Sequence, residues 1–173
     1  MKTAIKSIIF SIILFLMSLS TYAVNTRPEE PQRGNTCLFT CMNHLQPSKS
    51  VDDFIADFNS FLGTNQDGYT SGAKATLQQN SDFINSEFKT KDLREVGLMP
   101  ALDSGYNVLT CLKLYDENGV PTYHEIVLTG YVPNENYKKI KLKFYDPQTG
   151  NIELMKMMNY VNYNPPYALI ILK

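Results

Sequence analysis

The sequence predicts an α+β domain, with helices first and an antiparallel sheet after them, behind an export segment. Apolar residues recur at helical spacing from Leu38 to Leu62, and past Gly105 the period shortens to that of strands, with β-branched and aromatic residues accumulating. Short turn signals separate the later runs, which is the pattern of neighbouring antiparallel strands with helices packed to one side of them. The chain has 173 residues and no internal repeat, so it holds one domain, residues 24–173, after a leader at residues 1–23.

Lys2 and Lys6 give the leader a basic end, Ile8 to Met17 an apolar run broken only by Ser11, and Thr21-Tyr22-Ala23 a cleavage site with small residues at its first and third positions. The run is shorter than the roughly 20 apolar residues of a spanning helix, and no later stretch approaches that length. A secreted or periplasmic protein with no membrane span after processing is expected. Val24 to Gly34, with Pro28 and Pro31, reads as an extended lead-in.

Thr36 to Gln46 places Leu38, Cys41, Met42 and Leu45 on one helical face, with Asn35 or Thr36 as cap and Pro47 as stop. Ser50 then caps a second helix, in which Asp52 and Asp53 suit the first turn and Phe54, Ile55, Phe58, Phe61 and Leu62 repeat until Gly63. Asn65 to Gly68 is a turn, Ser71 to Asn80 a weak helix, and Phe83 to Phe88 a short strand or a helical turn. Lys91 to Asp103 is expected to be helical, broken or restarted at Pro100. Strands follow at Tyr106–Tyr115, Tyr123–Val132, Lys139–Tyr145 and Tyr167–Leu172, while Ile152 to Tyr160 fits either type. The alternation of Lys139, Lys141 and Lys143 with Ile140, Leu142 and Phe144 marks one wet and one buried face.

The net charge of −1 becomes about −3 once Lys2 and Lys6 are removed, which argues against nucleic acid as a partner. Three cysteines are too few, and odd in number, for a disulfide scaffold. Cys37 and Cys41 form a C-x-x-x-C pair without a second close pair, so no metal site and no cofactor is expected.

Cys37 stands where a helix begins, a position at which backbone N–H groups favour the thiolate. Two histidines exist as candidate bases, and His44 lies two turns along the same helix, about 10 Å from Cys37 on a regular axis. His124 opens a strand, and Asp146 follows the adjoining strand where a hairpin returns it beside His124. Cys37, His124 and Asp146 therefore make a candidate triad. Cys41 reads as core, Cys111 as core or a disulfide partner, and His44 as a surface residue at a helix end. The three thiols allow either a resting Cys37–Cys41 disulfide opened by reduction, or a Cys41–Cys111 staple that leaves Cys37 free. A stable disulfide at Cys37 is the less favoured.

Gly34-Asn35-Thr36-Cys37-Leu38-Phe39-Thr40-Cys41, Tyr123-His124-Glu125-Ile126-Val127-Leu128-Thr129-Gly130-Tyr131 and Phe144-Tyr145-Asp146-Pro147-Gln148-Thr149-Gly150 together resemble the papain-like cysteine peptidase superfamily in its bacterial branches. The histidine strand and Asp-Pro turn are similar to double-glycine peptidases; Asn-x-Cys and Asp-Pro-Gln-Thr-Gly resemble papain-fold toxin and effector domains, some of which deamidate glutamine. The resemblance implies a papain-like fold and a Cys37 nucleophile, with His124 as base and then acid and Asp146 orienting it. It also implies an oxyanion donor upstream of the cysteine. Gln32 stands five residues upstream, one fewer than expected, and Asn35 or Gln148 are the substitutes.

The expected function is hydrolysis of an amide, in a peptide bond or a glutamine side chain, by a monomer acting on a peptide or protein substrate. Two alternatives stand beside it. One is a secreted papain-like binding module without chemistry. The other is a cell-wall amidase or endopeptidase, whose usual Asp-Cys-Ser-Gly-type motif is missing. Mass spectrometry of exported protein should show a chain starting at or close to Val24; secreted material that still carries Lys2 and the apolar run would contradict the leader.

Overall fold

A computed structural model describes residues 36–63 and 75–172. The leader, the lead-in, Gln32, Asn35 and the Asn65–Gly68 turn lie outside the described residues.

Helix α1 (Cys37–Leu45) has seven consecutive buried residues, Cys37 to Asn43, so it has no wet face over that stretch. Thr36 occupies its N-cap position without a side-chain cap. Helix α2 (Val51–Phe61) starts at a complete capping box between Ser50 and Asp53, and α3 (Leu77–Glu87) at another between Thr76 and Gln79. Of the two readings of Phe83–Phe88, short strand or helical turn, the helical one holds: the Thr76 cap starts a helix that runs through Glu87, with Phe88 as its C-cap. Phe83 and Ile84 are its buried face.

The helical stretch expected over Lys91–Asp103, broken or restarted at Pro100, resolves into three elements: strand β1 (Thr90–Asp92), helix α4 (Leu93–Val96) and helix α5 (Leu98–Asp103). The break falls at Gly97, whose φ of +90° is available to glycine and strained for other residues. Pro100 does not break α5, since in the first turn its missing N–H has no partner to lose. Strands β2 (Asn107–Tyr115), β3 (Pro121–Val132) and β4 (Lys141–Asp146) follow, with a 3-10 turn at Tyr137–Lys139 before β4. The ambiguous Ile152–Tyr160 run divides into β5 (Asn151–Lys156) and helix α6 (Met157–Asn162), and β6 (Ala168–Ile171) closes the chain.

All pairings are antiparallel, in the order β1-β6-β2-β3-β4-β5. Both faces of this sheet are covered, where the sequence suggested one. On one side α1, α2 and α3 enclose Leu38, Phe39, Phe54, Phe58 and Phe83 with Leu109, Val127, Tyr145 and Leu169 of the sheet. On the other, Leu102 of α5 and Met157 and Tyr160 of α6 meet Leu112, Ile126, Leu128 and Phe144. A central strand buried on both faces reads as a continuous apolar run rather than an alternation, which is the pattern of Val108 to Leu112.

Phe39, Phe58 and Phe83 meet edge to face, with centroids 5.0–6.4 Å apart. Lys49 ties the same region together by pairing with Asp57 of α2 and Glu87 of α3. Phe61, which shares the helical period of Phe58, is nonetheless 45% exposed, whereas Phe58 is fully buried. Phe58→Ala should therefore cost about 3–5 kcal/mol in urea unfolding, and Phe61→Ala under about 1.5 kcal/mol; equal losses would contradict this packing.

Candidate functional site

The site lies where the first turn of α1 meets the start of β3 and the end of β4. Strand pleating sends Glu125 and Val127 toward α1, and His124, Ile126 and Leu128 toward the opposite face. On its β2 side His124 faces Leu112, but the β3–β4 ladder begins only at Val127 opposite Tyr145. Beside His124 the sheet thus has a notch, and Asp146, the last residue of β4, stands at its rim.

His124 Nε2 lies 3.0 Å from Asp146 Oδ1, with both side chains mostly buried. The same Oδ1 accepts the backbone N–H of Gln148 at 2.9 Å, so the Asp-Pro turn fixes the carboxylate before the histidine uses it. A carboxylate only accepts, which places the proton of the neutral ring on Nε2 and leaves Nδ1 as the basic nitrogen. Nδ1 has no hydrogen-bond partner among the described residues.

Cys37 lies on the other side of that strand position. Its Sγ donates to Glu125 Oε2 at 2.7 Å, and the Glu125 carboxyl takes a second hydrogen bond from the Tyr167 hydroxyl at 3.1 Å. Of the three expected triad members, then, the structure joins His124 with Asp146 and joins Cys37 with Glu125, the residue directly after His124; it shows no hydrogen bond from Cys37 to His124. Burial is the main force holding the Cys37 thiol well above its ordinary pKa, followed by the Glu125 charge and hydrogen bond. Backbone hydrogen bonding from Glu125, and then from Leu38 in the first turn of α1, pulls the other way and is outweighed. In this arrangement Cys37 is a thiol at neutral pH.

Cys41 is fully buried one turn along α1 and donates to the main-chain oxygen of Glu125 at 3.3 Å. Cys111 sits opposite Glu125 in the β2–β3 register. Burial pushes both thiols up, the Glu125 charge adding to it. All three cysteines are free, so neither disulfide considered from the sequence forms. No group of three or more metal-ligating side chains among the described residues is arranged to hold an ion. No helix among them is long and apolar enough to cross a membrane.

Gln148 has its backbone N–H committed to Asp146 and its side chain exposed, while Gln32 and Asn35 lie outside the described residues. His44 is half-buried rather than a surface residue, stacking on Tyr145 with ring centroids 4.0 Å apart. A cavity of about 870 Å³ opens between α3, β1, α4 and β6, with Tyr167 in its wall; Cys37, His124 and Asp146 are not among its lining residues. Sequence reading passed over Glu125. Its signal was a lone carboxylate directly before the Ile126–Leu128 apolar run, where a charge has to find donors.

Compared with known proteins, the chain matches no family model and no curated sequence.

Unfolding the purified protein without reductant and alkylating it should add three labels per chain. A mass two hydrogens lower, with a cross-linked pair of cysteine peptides, would contradict the free-thiol arrangement.

Proposed function

We propose that this chain is an exported thiol enzyme of papain-like type that hydrolyses an amide, either a peptide bond or a glutamine side chain. The observation that carries the reading is the His124 Nε2–Asp146 bond at the sheet notch, which orients an imidazole whose Nδ1 is open, one residue from the group that holds Cys37. An α+β fold alone would not support it, because such layouts carry many chemistries.

In this mechanism the Cys37 sulfur leaves Glu125 and turns to the notch. His124 Nδ1 takes the thiol proton as sulfur attacks the substrate carbonyl carbon. The tetrahedral oxyanion collapses, the C–N bond breaks, and the imidazolium returns its proton to the leaving nitrogen. That product is an amine from a peptide bond or ammonia from a carboxamide. Water then adds to the thioester while His124 accepts its proton; the C–S bond breaks, leaving a carboxylic acid and the thiol. Asp146 keeps the ring in the required tautomer throughout. Gln32, Asn35, the Gln148 side chain and the Cys37 backbone N–H are the candidate oxyanion donors.

One observation favours a second reading, a papain-like binding module without chemistry: Cys37 is 6% exposed and its thiol is bonded to a carboxylate, conditions that suppress a nucleophile. The two readings separate on activity. Processed protein is incubated with an unfolded protein and with a glutamine-containing peptide, and new N-termini and released ammonia are measured. Cys37→Ala and His124→Ala should each lower the rate by about a thousandfold or more with unchanged thermal unfolding. Cys41→Ala should retain activity and lose stability by about 1–2 kcal/mol. Absence of turnover, or turnover that survives Cys37→Ala, would contradict the enzyme reading.

A further inference from the structure

We infer that Glu125 is a positioning residue that restrains the Cys37 thiol, holding it protonated and turned away from His124. The inference rests on the nucleophile assignment proposed above for its role in catalysis, but the restraint itself is a property of the free protein. Glu125 is 1% exposed, and its two carboxylate oxygens are divided between two neutral donors, Cys37 Sγ on Oε2 and the Tyr167 hydroxyl on Oε1. The carboxyl acts on the Cys37 thiol through its hydrogen bond and its charge, both of which oppose loss of the thiol proton. That thiol is the one at a helix start.

The geometry makes the restraint specific. Glu125 and His124 are neighbours on β3 with oppositely directed side chains, so a sulfur bonded to one is not bonded to the other. Losing the proton at Cys37 would set a thiolate 2.7 Å from the carboxylate. The other titratable groups facing this point are Cys41 of α1, Cys111 of β2, Tyr167 before β6 and, farther off, Asp146 of β4; none is a cation. Tyr167 also forms part of the wall of the 870 Å³ cavity, which connects the restraint to a surface opening.

The test is the pH profile of Cys37 alkylation by iodoacetamide, read on the Cys37 peptide by mass spectrometry in a Cys41→Ser, Cys111→Ser background and in the wild type. Glu125→Gln keeps shape and one acceptor while removing the charge. It should lower the midpoint of labelling by about one pH unit or more and speed labelling about tenfold at pH 7.5. Tyr167→Phe, which leaves the charge in place, should not lower the midpoint. Faster labelling of Glu125→Gln with an unmoved midpoint would mean loosened packing and would overturn the inference. Should Glu125→Gln fail to fold, Glu125→Asp decides, because it keeps a carboxylate but draws it back from the sulfur: a lowered midpoint supports the restraint, and an unmoved one overturns it. Alkylation requires no turnover. An enzyme reading that fails with the midpoint shift present, or the reverse, is therefore recognisable.

Discussion

Helix α1 has no solvent face along Cys37 to Asn43, and its seat across β3 is the constraint from which the rest of the site follows. A helix buried all round can be placed in only one way, because each rotation would expose apolar side chains worth about 1.5–3 kcal/mol apiece. Its seat on Leu109, Val127, Tyr145 and Leu169 brings its first residue against the start of β3. Cys41 adds a directional tie by donating to the Glu125 main chain. The sulfur of Cys37 then bonds Glu125, one of the two side chains that the strand pleat presents on opposite faces at consecutive positions.

Those two groups have opposed effects. Glu125 stabilises the protonated thiol through proximity of charge, while an imidazole oriented by Asp146 is suited to accept the proton. The carboxylate is itself expensive to bury, and its neutral partners offset that cost less than a cation would.

Much of this was visible in the chain before folding was considered. The Ser50 cap and the repeating phenylalanines fixed α2, and the Lys/apolar alternation fixed β4, because both patterns are long enough to show their period. Thr90–Asp92 has three residues, too few for any period, and the Gly97 break depends on a backbone angle rather than on a side-chain pattern. Asn151–Lys156 is an edge strand running straight into α6, so its signal mixes two periods. At the site, Asp146 was legible as a turn residue returning beside His124. The partner of Cys37 was not, since nothing in the residue order says which of two neighbouring side chains faces the helix.

The most direct measurement is the imidazole NMR spectrum of His124 before and after carboxamidomethylation of Cys37, with Cys41 and Cys111 replaced by serine. The enzyme account requires that the sulfur can reach the notch, so the modified side chain should shift the Nδ1 resonance of His124 while the Nε2–Asp146 bond persists. An unchanged His124 spectrum on fully modified, folded protein would show that Cys37 and His124 do not share a site.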